Sequence, residues 1–567
     1  MTMPAVLPCW DLPAPAVSSA DLLVDLADLV ALYQRHGVAG GPPLAADLAL
    51  VDVFEQLLTR TNTLVYRERL LSLTHAGRCW AGGEHRASAS AAYLRVQQQL
   101  APVAALRARL QAWVARLPID WLTARSSVAA AHRRWLRGCH AGRWLPPGEE
   151  DLLASVDSTA AWRQLYEDSA ARVTASLAGW PDDAAHDQAR ARRTAAAWAG
   201  MAPVAAACLN ALLGQEQAVA GRRGWSSTRD LLRHREGLPE LALEAAGQAT
   251  PALLAGLRRF ATIRARLLGA DSLPYDKVTG PLPGEPRWAW DDARERIVTA
   301  FTACEPQLGQ MAATAFTRSW IDAAPRPGKR PTALCLPLHD GQARIMVTFD
   351  GHAASILHLA HELGHAYHHV RQDGQTEFQR ESALMVKELA AMAAEQMIVA
   401  AAPAGEQMFL QGAWLTRVLR TCVLGLARSR FEEIVVDQRR SGPLTEVDFD
   451  TAAAAANQIV YAAGITAGTA PRHTWISHPH LYTARFHSVP YVLARLAAAA
   501  LFSAGPTAAL APMLTGSGLT AAVDLFARYG HNLESPAFWI GGAEAITAQV
   551  EQFTAAVMPA ASPGGLR

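Results

Sequence analysis

The sequence predicts a mainly α-helical protein with one short β-structured segment. From about residue 19 to residue 268, apolar residues recur at positions i, i+3, i+4 and i+7, which is the spacing of amphipathic helices. Residues 330–351 instead carry β-branched and apolar residues around an Asp340-Gly341 pair, which is typical of a hairpin turn. With 50% hydrophobic residues among 567, the chain has enough apolar surface to form a large core.

Charge and cysteine content argue against several classes of function. Basic residues number 52 and acidic residues 51, so no net field attracts nucleic acid or anionic lipid. The seven cysteines form no C-x-x-C pair, which argues against a disulfide framework and favours a reducing compartment. No signal-peptide pattern is found, and the most apolar late stretch, 491–513, is interrupted by Arg495 and Gly505. We therefore expect a cytoplasmic protein that binds neither nucleic acid nor membrane, and the sequence carries no signal for an oligomeric state.

The predicted helices are separated by short breaks rather than by flexible linkers. Proline and glycine cluster at 40–43, 145–150, 178–183 and 280–288. No repeat of fixed period is found, so a solenoid is not favoured. After the β segment, helical spacing resumes over 352–370, and a second helix is expected from about residue 379 to residue 401.

The first of these two helices contains a metal-binding pattern. His361 and His365 lie at i and i+4 in an H-E-x-x-H sequence, so both imidazoles can reach one ion from the same face of the helix. Glu362 follows the first histidine and can approach a water molecule on the metal. Zinc suits imidazole and carboxylate ligands, and three ligands leave a fourth position for water and substrate. The alternative interpretation is a helix with polar residues that face solvent.

A third ligand has to come from elsewhere, and four acids follow the motif: Glu377, Glu381, Glu388 and Glu395. The last three are seven residues apart and would share one stripe of a helix. Residues seven apart on a helix are about 10.5 Å apart, so only one of the three can bind a given ion. The spacing alone does not choose between them.

Several stretches resemble the oligoendopeptidase F branch of the thimet-oligopeptidase metallopeptidases, in the order of that family and over nearly the whole chain. The stretches are WDL (10–12), LLGADSLPYDKVTGPL (267–282), LAHELGHAYH (359–368), KELAAMAAEQM (387–397) and LTGSGLTAAVDLFARYGHNLESPAFW (514–539). The resemblance implies two helical lobes that form a clam around a deep substrate channel, with a small β-sheet next to the zinc helix. It further implies an amino-terminal helical region, 1–195, and a catalytic domain, 196–567.

The same resemblance implies the roles of individual residues. One Zn²⁺ per chain would be held by His361, His365 and Glu388, with a zinc-bound water as the nucleophile and Glu362 as the general base. WISHPHLY (475–482) resembles a family stretch whose histidine helps to stabilise the tetrahedral intermediate, which corresponds to His480.

A tyrosine hydroxyl completes the implied oxyanion site. VPYV (489–492) resembles the family's P-F-Y-Y and suggests Tyr491 as that donor, with Tyr482 as a substrate-binding residue. His478 and His487 compete with His480 for the histidine role, although a surface or core position is the expectation for both. Strand 343–351 is expected to offer an edge for an extended substrate.

The leading functional hypothesis is a zinc-dependent endopeptidase that hydrolyses short unfolded oligopeptides. A specialised processing peptidase for one peptide precursor is an alternative within the same enzyme class. A catalytically silent peptide-binding shell is the alternative from another class, and the complete set of histidines and glutamates argues against it.

Overall fold

The computed structural model shows a helical protein with a small β-sheet. It describes residues 7–558 except for short segments at 14–16, 39–45, 84–85, 147–148, 151, 154–156, 178–186, 327–328, 331, 472 and 504–508. The predicted mainly α-helical class is confirmed.

The amino-terminal part of the described chain is entirely helical. Its helices are α1 (Ser19–Arg35), α2 (Leu48–Trp80), α3 (Arg86–Val114), α4 (Ile119–Thr123), α5 (Ser127–Ala131), α6 (Arg133–Ala141), α7 (Thr159–Ser176), α8 (Asp187–Ala199), α9 (Ala202–Arg222), α10 (Thr228–Glu236), α11 (Glu240–Gly247) and α12 (Thr250–Leu267). Capping side chains fix where the first two helices begin. Ser18 accepts a hydrogen bond from the Asp21 backbone N–H, and Asp47 accepts one from that of Leu50.

The central part carries the predicted β segment and the two predicted helices. Its elements are a 3₁₀ turn (Tyr275–Lys277), α13 (Trp290–Cys304), α14 (Pro306–Thr317), β1 (Ile321–Asp322), β2 (Leu334–Pro337), β3 (Ala343–Met346), α15 (Ala353–Arg371) and α16 (Leu384–Ala400). Helix α16 begins at residue 384 rather than 379, so Glu381 precedes it and does not share the stripe of Glu388 and Glu395.

The carboxyl-terminal part contains one π-helical turn among α-helices. Its elements are α17 (Gln407–Leu419), the π turn (Arg420–Leu424), α18 (Gly425–Arg439), α19 (Glu446–Ala456), α20 (Gln458–Ala462), α21 (His480–Thr483), α22 (Ser488–Ser503), α23 (Leu510–Gly516), α24 (Ala522–Ala527) and α25 (Pro536–Val557). Among the described helices, no single one is long and apolar enough to span a membrane. Residues 192–199 and α9, which meet at a bend of 52°, together reach the length and apolar composition of a membrane span.

The sheet has the strand order β1-β3-β2. Strands β2 and β3 form the predicted antiparallel hairpin, in which Asp340 and Gly341 have positive φ angles of 52° and 65°, as a tight hairpin turn requires. Strand β1 pairs with β3 in parallel. The expectation that strand 343–351 offers an edge is therefore wrong, because β3 is the central strand. Among the described strands, β2 is instead the one that pairs with β3 and leaves its other side unpaired on the cavity side.

A large cavity lies where the amino-terminal helices meet the central part of the chain. Its volume is about 1210 Å³, and it is lined by residues of α2, α3, β2, α15, α16, the π turn and α22. Arg69 of α2 ties the two parts together, because its Nε lies 2.7 Å from Glu377 Oε2 and its Nη1 donates to the Pro337 carbonyl. The predicted domain boundary at residue 195 stays a prediction.

Candidate metal and catalytic site

The three predicted metal ligands converge on one point in the cavity wall. Helix α15 presents His361 and His365 on one face, with ring centroids 4.8 Å apart. Glu388 reaches them from α16, with its Oε2 3.5 Å from His361 Nε2 and its Oε1 3.7 Å from His365 Nε2. One donor atom from each residue lies within 4.8 Å of the others.

The donor set fits a zinc ion. Bonds of about 2.0–2.1 Å in tetrahedral geometry place ligand atoms about 3.3 Å apart, which is close to the two measured separations. Glu388 Oε2 is buried and has no hydrogen-bond partner among the described residues. A buried carboxylate oxygen without a partner is costly, and a cation between it and the imidazoles would supply that partner.

A second carboxylate orients the first histidine. Glu395 lies two helical turns beyond Glu388 and is fully buried. Its Oε1 accepts a hydrogen bond of 2.8 Å from His361 Nδ1. Its charge is balanced by Arg417 at 2.6 Å and Arg495 at 2.9 Å. Although burial raises the pKa of Glu395, these two guanidinium groups hold it well below its usual value. An ionised acceptor keeps the proton of His361 on Nδ1 and leaves Nε2 free to bind a metal.

The close packing of α15 on α16 depends on Gly364. A Cβ atom on Gly364 would lie 2.6 Å from Ala391 Cα and 2.7 Å from the Ala390 carbonyl oxygen. Both neighbours are backbone atoms and cannot rotate away. The glycine of the H-E-x-G-H sequence therefore permits the helix separation that brings Glu388 to the histidines.

We expect Gly364→Ala to lower both stability and metal affinity. The added methyl group must push α16 away from α15, at a cost of about 1–3 kcal/mol for overpacking. Chemical unfolding and zinc titration with a chromophoric chelator measure the two effects. Gly541→Ala on α25 is the matched control, because a Cβ there meets nothing within 4 Å. Equal zinc affinity in the two variants would contradict this reading of the interface.

Glu362 lies beside the three candidate ligands without being one of them. Glu362 is only 6% exposed. It lies on α15 with the two histidines and lines the same cavity. Burial raises the pKa of Glu362 to about 7, and the nearby Glu388 carboxylate acts in the same direction. Glu362 therefore lies next to the candidate ligands, and its predicted role as a proton acceptor stays a prediction.

Three histidines and a tyrosine form a continuous part of the cavity wall, the histidine wall. The ring of His480 stacks on that of His487 at 4.2 Å, and His487 lies 5.2 Å from Tyr491. His478 lies 5.3 Å from His480. All four line the cavity, so His478 and His487 occupy neither isolated surface positions nor the hydrophobic core.

The states of His480 and Tyr491 suit them to donate hydrogen bonds. Burial and the charge of Arg428 lower the pKa of His480 to about 4, so its ring is neutral and carries one N–H. Burial and the Glu388 carboxylate raise the pKa of Tyr491, so the phenol keeps its proton. This interaction places the Tyr491 hydroxyl at the metal site.

The prediction that Tyr482 binds substrate is wrong for this conformation. Its side chain is fully buried, stacks on Tyr166 at 3.6 Å, and has its hydroxyl 3.4 Å from the Trp475 carbonyl. The short helix α21 turns His480 towards the cavity and Tyr482 away from it. Tyr482 therefore packs the loop against α7 and does not line the cavity.

The roles of Glu395, Arg417 and Arg495 were not predicted from the sequence. Arg495 was noted only as an interruption of an apolar stretch. It lies in α22, is 1% exposed, and its partner is the carboxylate that orients His361. A single arginine in an otherwise apolar helix is the signal that could have pointed to a buried acid, because buried charges require partners.

Comparison with known proteins identifies the fold. No family model and no curated protein matches the chain. Among solved structures, PZ peptidase A with an inhibitor has a TM-score of 0.72 at 13% identity, covering 96% of this chain and 98% of its own. Oligoendopeptidase F from Enterococcus faecium has a TM-score of 0.65 at 13% identity, covering 95% and 97%. Trypanosoma cruzi metallocarboxypeptidase 1 has a TM-score of 0.56 at 13% identity, covering 86% and 98%.

These likenesses extend over almost the whole length of each protein. At such identities they concern the fold and not the individual residues. They agree with the resemblance found in the sequence motifs, which was drawn from different observations. The chain therefore has the fold of oligoendopeptidase F, with a His-His-Glu cluster in the wall of its cavity.

Proposed function

We propose that this protein is a zinc-dependent endopeptidase that hydrolyses short, unfolded oligopeptides. The observation that carries the proposal is the convergence of His361, His365 and Glu388 next to the unliganded carboxylate of Glu362 in one cavity. The names of the structural neighbours, which are peptidases, support the same reaction class. One zinc ion per chain is part of the proposal.

Each group of the proposed site has a separate role in peptide hydrolysis. A zinc ion held by the three ligands supplies a Lewis acid that polarises the substrate carbonyl and acidifies water. Glu362 accepts the proton of the attacking water and delivers it to the departing amine nitrogen.

His480 and Tyr491 are proposed as donors to the carbonyl oxygen as it becomes negative. Both carry a proton near neutral pH, and both line the cavity. Donors fixed at the position of the developing charge stabilise that charge more than the neutral carbonyl. The stacked ring of His487 between them restricts their movement.

The free side of β2 is proposed to bind the peptide backbone. Leu334, Cys335 and Pro337 of this strand line the cavity, and β2 pairs only with β3 in the described sheet. An extended peptide can add to such a strand through main-chain hydrogen bonds, which tolerate many side chains.

We expect His480→Ala to lower kcat by about 10²- to 10³-fold with little change in KM, the usual result of removing an oxyanion donor. Tyr491→Phe should show the same pattern more weakly. Tyr482→Phe is the control and should remain near wild type, because its hydroxyl is buried away from the cavity. Steady-state kinetics at constant zinc content provide the comparison. A larger effect at Tyr482 than at Tyr491 would show that the loop adopts another arrangement around the metal.

The proposal as a whole is tested with a mixed library of peptides of about 5 to 15 residues. Products are identified by mass spectrometry with the zinc-loaded protein, with the chelated protein, and after zinc is restored. Internal cleavage that requires zinc supports the endopeptidase. Removal of single residues from the carboxyl end, or no cleavage of any peptide, would contradict it. Cleavage confined to one sequence would favour the processing peptidase.

A further inference from the structure

Two arginines near the histidine wall, Arg420 and Arg428, have no ion-pair partner among the described residues. Arg420 begins the π turn and Arg428 lies two turns later in α18. Both line the main cavity, and both also line a smaller adjoining cavity of about 240 Å³. Within the described residues, no carboxylate lies within ion-pair distance of either guanidinium group.

The other arginines that line the main cavity differ in this respect. Each has a carboxylate partner: Arg69 pairs with Glu377, Arg107 with Glu381, Arg380 with Asp373, and Arg417 and Arg495 with Glu395. The fold thus neutralises its other cavity arginines internally. Arg420 and Arg428 are left with charge available to a ligand.

The acid that acts electrostatically on Arg428 is already engaged. Glu432, one turn further along α18, accepts a 2.8 Å hydrogen bond from the Phe486 backbone N–H and lies 3.8 Å from Arg485. Burial raises the pKa of Glu432 to about 7, which weakens it as a counter-ion. Burial lowers the pKa of Arg428 to about 10, so the guanidinium remains charged in a poorly solvated position. Such a group gains most from a bound anion.

The smaller cavity offers further polar groups beside these two cations. His478 lines both cavities together with the two arginines, and its Nε2 is buried without a hydrogen-bond partner. Asn457 and Ser477 also line the smaller cavity. Among the described residues, His478 Nε2 is a buried polar atom without a partner, and it lies beside the half-buried Arg428 and the exposed Arg420. The pocket therefore combines a desolvated polar group with positive charge that an entering ligand can reach.

The position of this pocket relative to the metal site suits a peptide substrate. Ring contacts lead from Tyr491, at the Glu388 carboxylate, through His487 and His480 to His478. Arg428 in turn acts electrostatically on both His478 and His480. Arg428 therefore lies at the His478 end of this row of rings, and both arginines line the same cavity as the candidate metal ligands, within reach of a peptide extended along it.

We propose that Arg420 and Arg428, with His478, form a subsite that binds a carboxylate group of the peptide substrate. The inference rests on the proposed peptidase function and adds the class of substrate, namely peptides with a carboxylate at a fixed distance from the cleaved bond. That carboxylate is either the terminal α-carboxylate or an acidic side chain. The planar guanidinium of Arg428 binds it through paired charge-assisted hydrogen bonds.

Three versions of a cleaved nonapeptide test this subsite. One has a free carboxyl terminus, one is amidated, and one has its aspartate and glutamate residues replaced by amides. The wild-type protein should lose about 10- to 100-fold in kcat/KM on the version that lacks the recognised carboxylate, which identifies its source. Arg428→Met and Arg420→Met should lose as much on the carboxylate peptide and little on the neutral one. Arg428→Lys should fall between, because it keeps the charge without the planar fork.

Arg430→Met is the matched control, because Arg430 lies on the same helix, is exposed and pairs with Glu433. It should match wild type on all three peptides. Equal rates of the wild-type protein on the three peptides, or an equal loss by Arg428→Met on all of them, would overturn the subsite while leaving the peptidase intact. If no peptide is cleaved, the proposed function fails separately. Fluorescence anisotropy of the same peptides, labelled at the amino end, then decides whether Arg428→Met abolishes carboxylate-dependent binding.

Discussion

Glu362→Gln is expected to reduce turnover by about 10²- to 10⁴-fold, the scale of general base catalysis, while zinc stays bound at one ion per chain. The amide is close in size to the carboxylate, but it cannot accept the proton of the attacking water. Zinc should remain because the donor cluster consists of His361, His365 and Glu388 and does not include Glu362. Rate measurements on a peptide taken from the library and metal analysis of the same sample test both parts.

Glu150→Gln provides a matched control for the loss of a buried carboxylate. Glu150 is 4% exposed and pairs with Arg223, away from the cavity lining. Its substitution should alter stability and leave kcat unchanged. A Glu362→Gln protein that keeps a tenth of wild-type activity would rule out the proton transfer assigned to Glu362. Loss of zinc from the same variant would instead make Glu362 a ligand.

The parts of the fold that the sequence predicts well are those set by local chemistry. The i, i+4 spacing of His361 and His365 requires a helix, and the Asp340-Gly341 pair specifies the turn between β2 and β3. Both follow from backbone geometry over a few residues. The structure shows both as expected.

The parts that local chemistry cannot decide depend on contacts between distant segments. Strand β1 consists of two residues, Ile321 and Asp322, and carries no pattern of its own. It forms because β3 offers a free side, and its presence turns β3 from an edge strand into the central one. The edge available to substrate therefore moves to β2. No property of residues 343–351 alone could indicate this.

The loop before α22 shows the same limit for the candidate site. His478, His480 and His487 are all polar residues in an irregular segment, and their spacing does not say which of them reach the cavity. The structure brings all three to the cavity wall. His480 and Tyr482 are two residues apart in the helical turn of α21, so their side chains point in nearly opposite directions. Tyr482 instead packs against Tyr166, a residue more than 300 positions earlier in the chain.

The choice between the downstream acids also needed tertiary structure. Residues seven apart on a helix face the same side, so Glu388 and Glu395 are equivalent in a periodic pattern. The packing of α15 against α16 separates them, with Glu388 at both Nε2 atoms and Glu395 at the opposite nitrogen of His361. Glu381 is not a candidate ligand in the structure, because it lies before α16, which begins at Leu384, and because the Glu381 side chain pairs with Arg107.

Glu388→Ala should therefore remove both zinc and activity. It deletes one of three donors and leaves two histidines, which lowers affinity by more than the roughly 10- to 100-fold typical of losing an outer hydrogen bond. Activity should fall in parallel with zinc content because the lost group acts only through the metal. Competition with a chelator of known affinity gives the dissociation constant, and activity is then measured at several zinc concentrations.

Glu395→Gln and Glu381→Ala make this test discriminating, because each changes another acid near the same helix. Glu395→Gln keeps a hydrogen-bond acceptor for His361 but leaves Arg417 and Arg495 without their counter-ion, so zinc affinity should fall by about 10- to 100-fold and stability should decrease. Glu381→Ala should leave zinc near one ion per chain, since it loses only a partly exposed pair with Arg107. If Glu381→Ala stripped the metal while Glu388→Ala did not, the third ligand would lie seven residues before the position that the structure gives it, outside α16. A zinc affinity lowered equally by Glu388→Ala and Glu395→Gln would mean that the orientation of His361, rather than the carboxylate of Glu388, limits binding at this site.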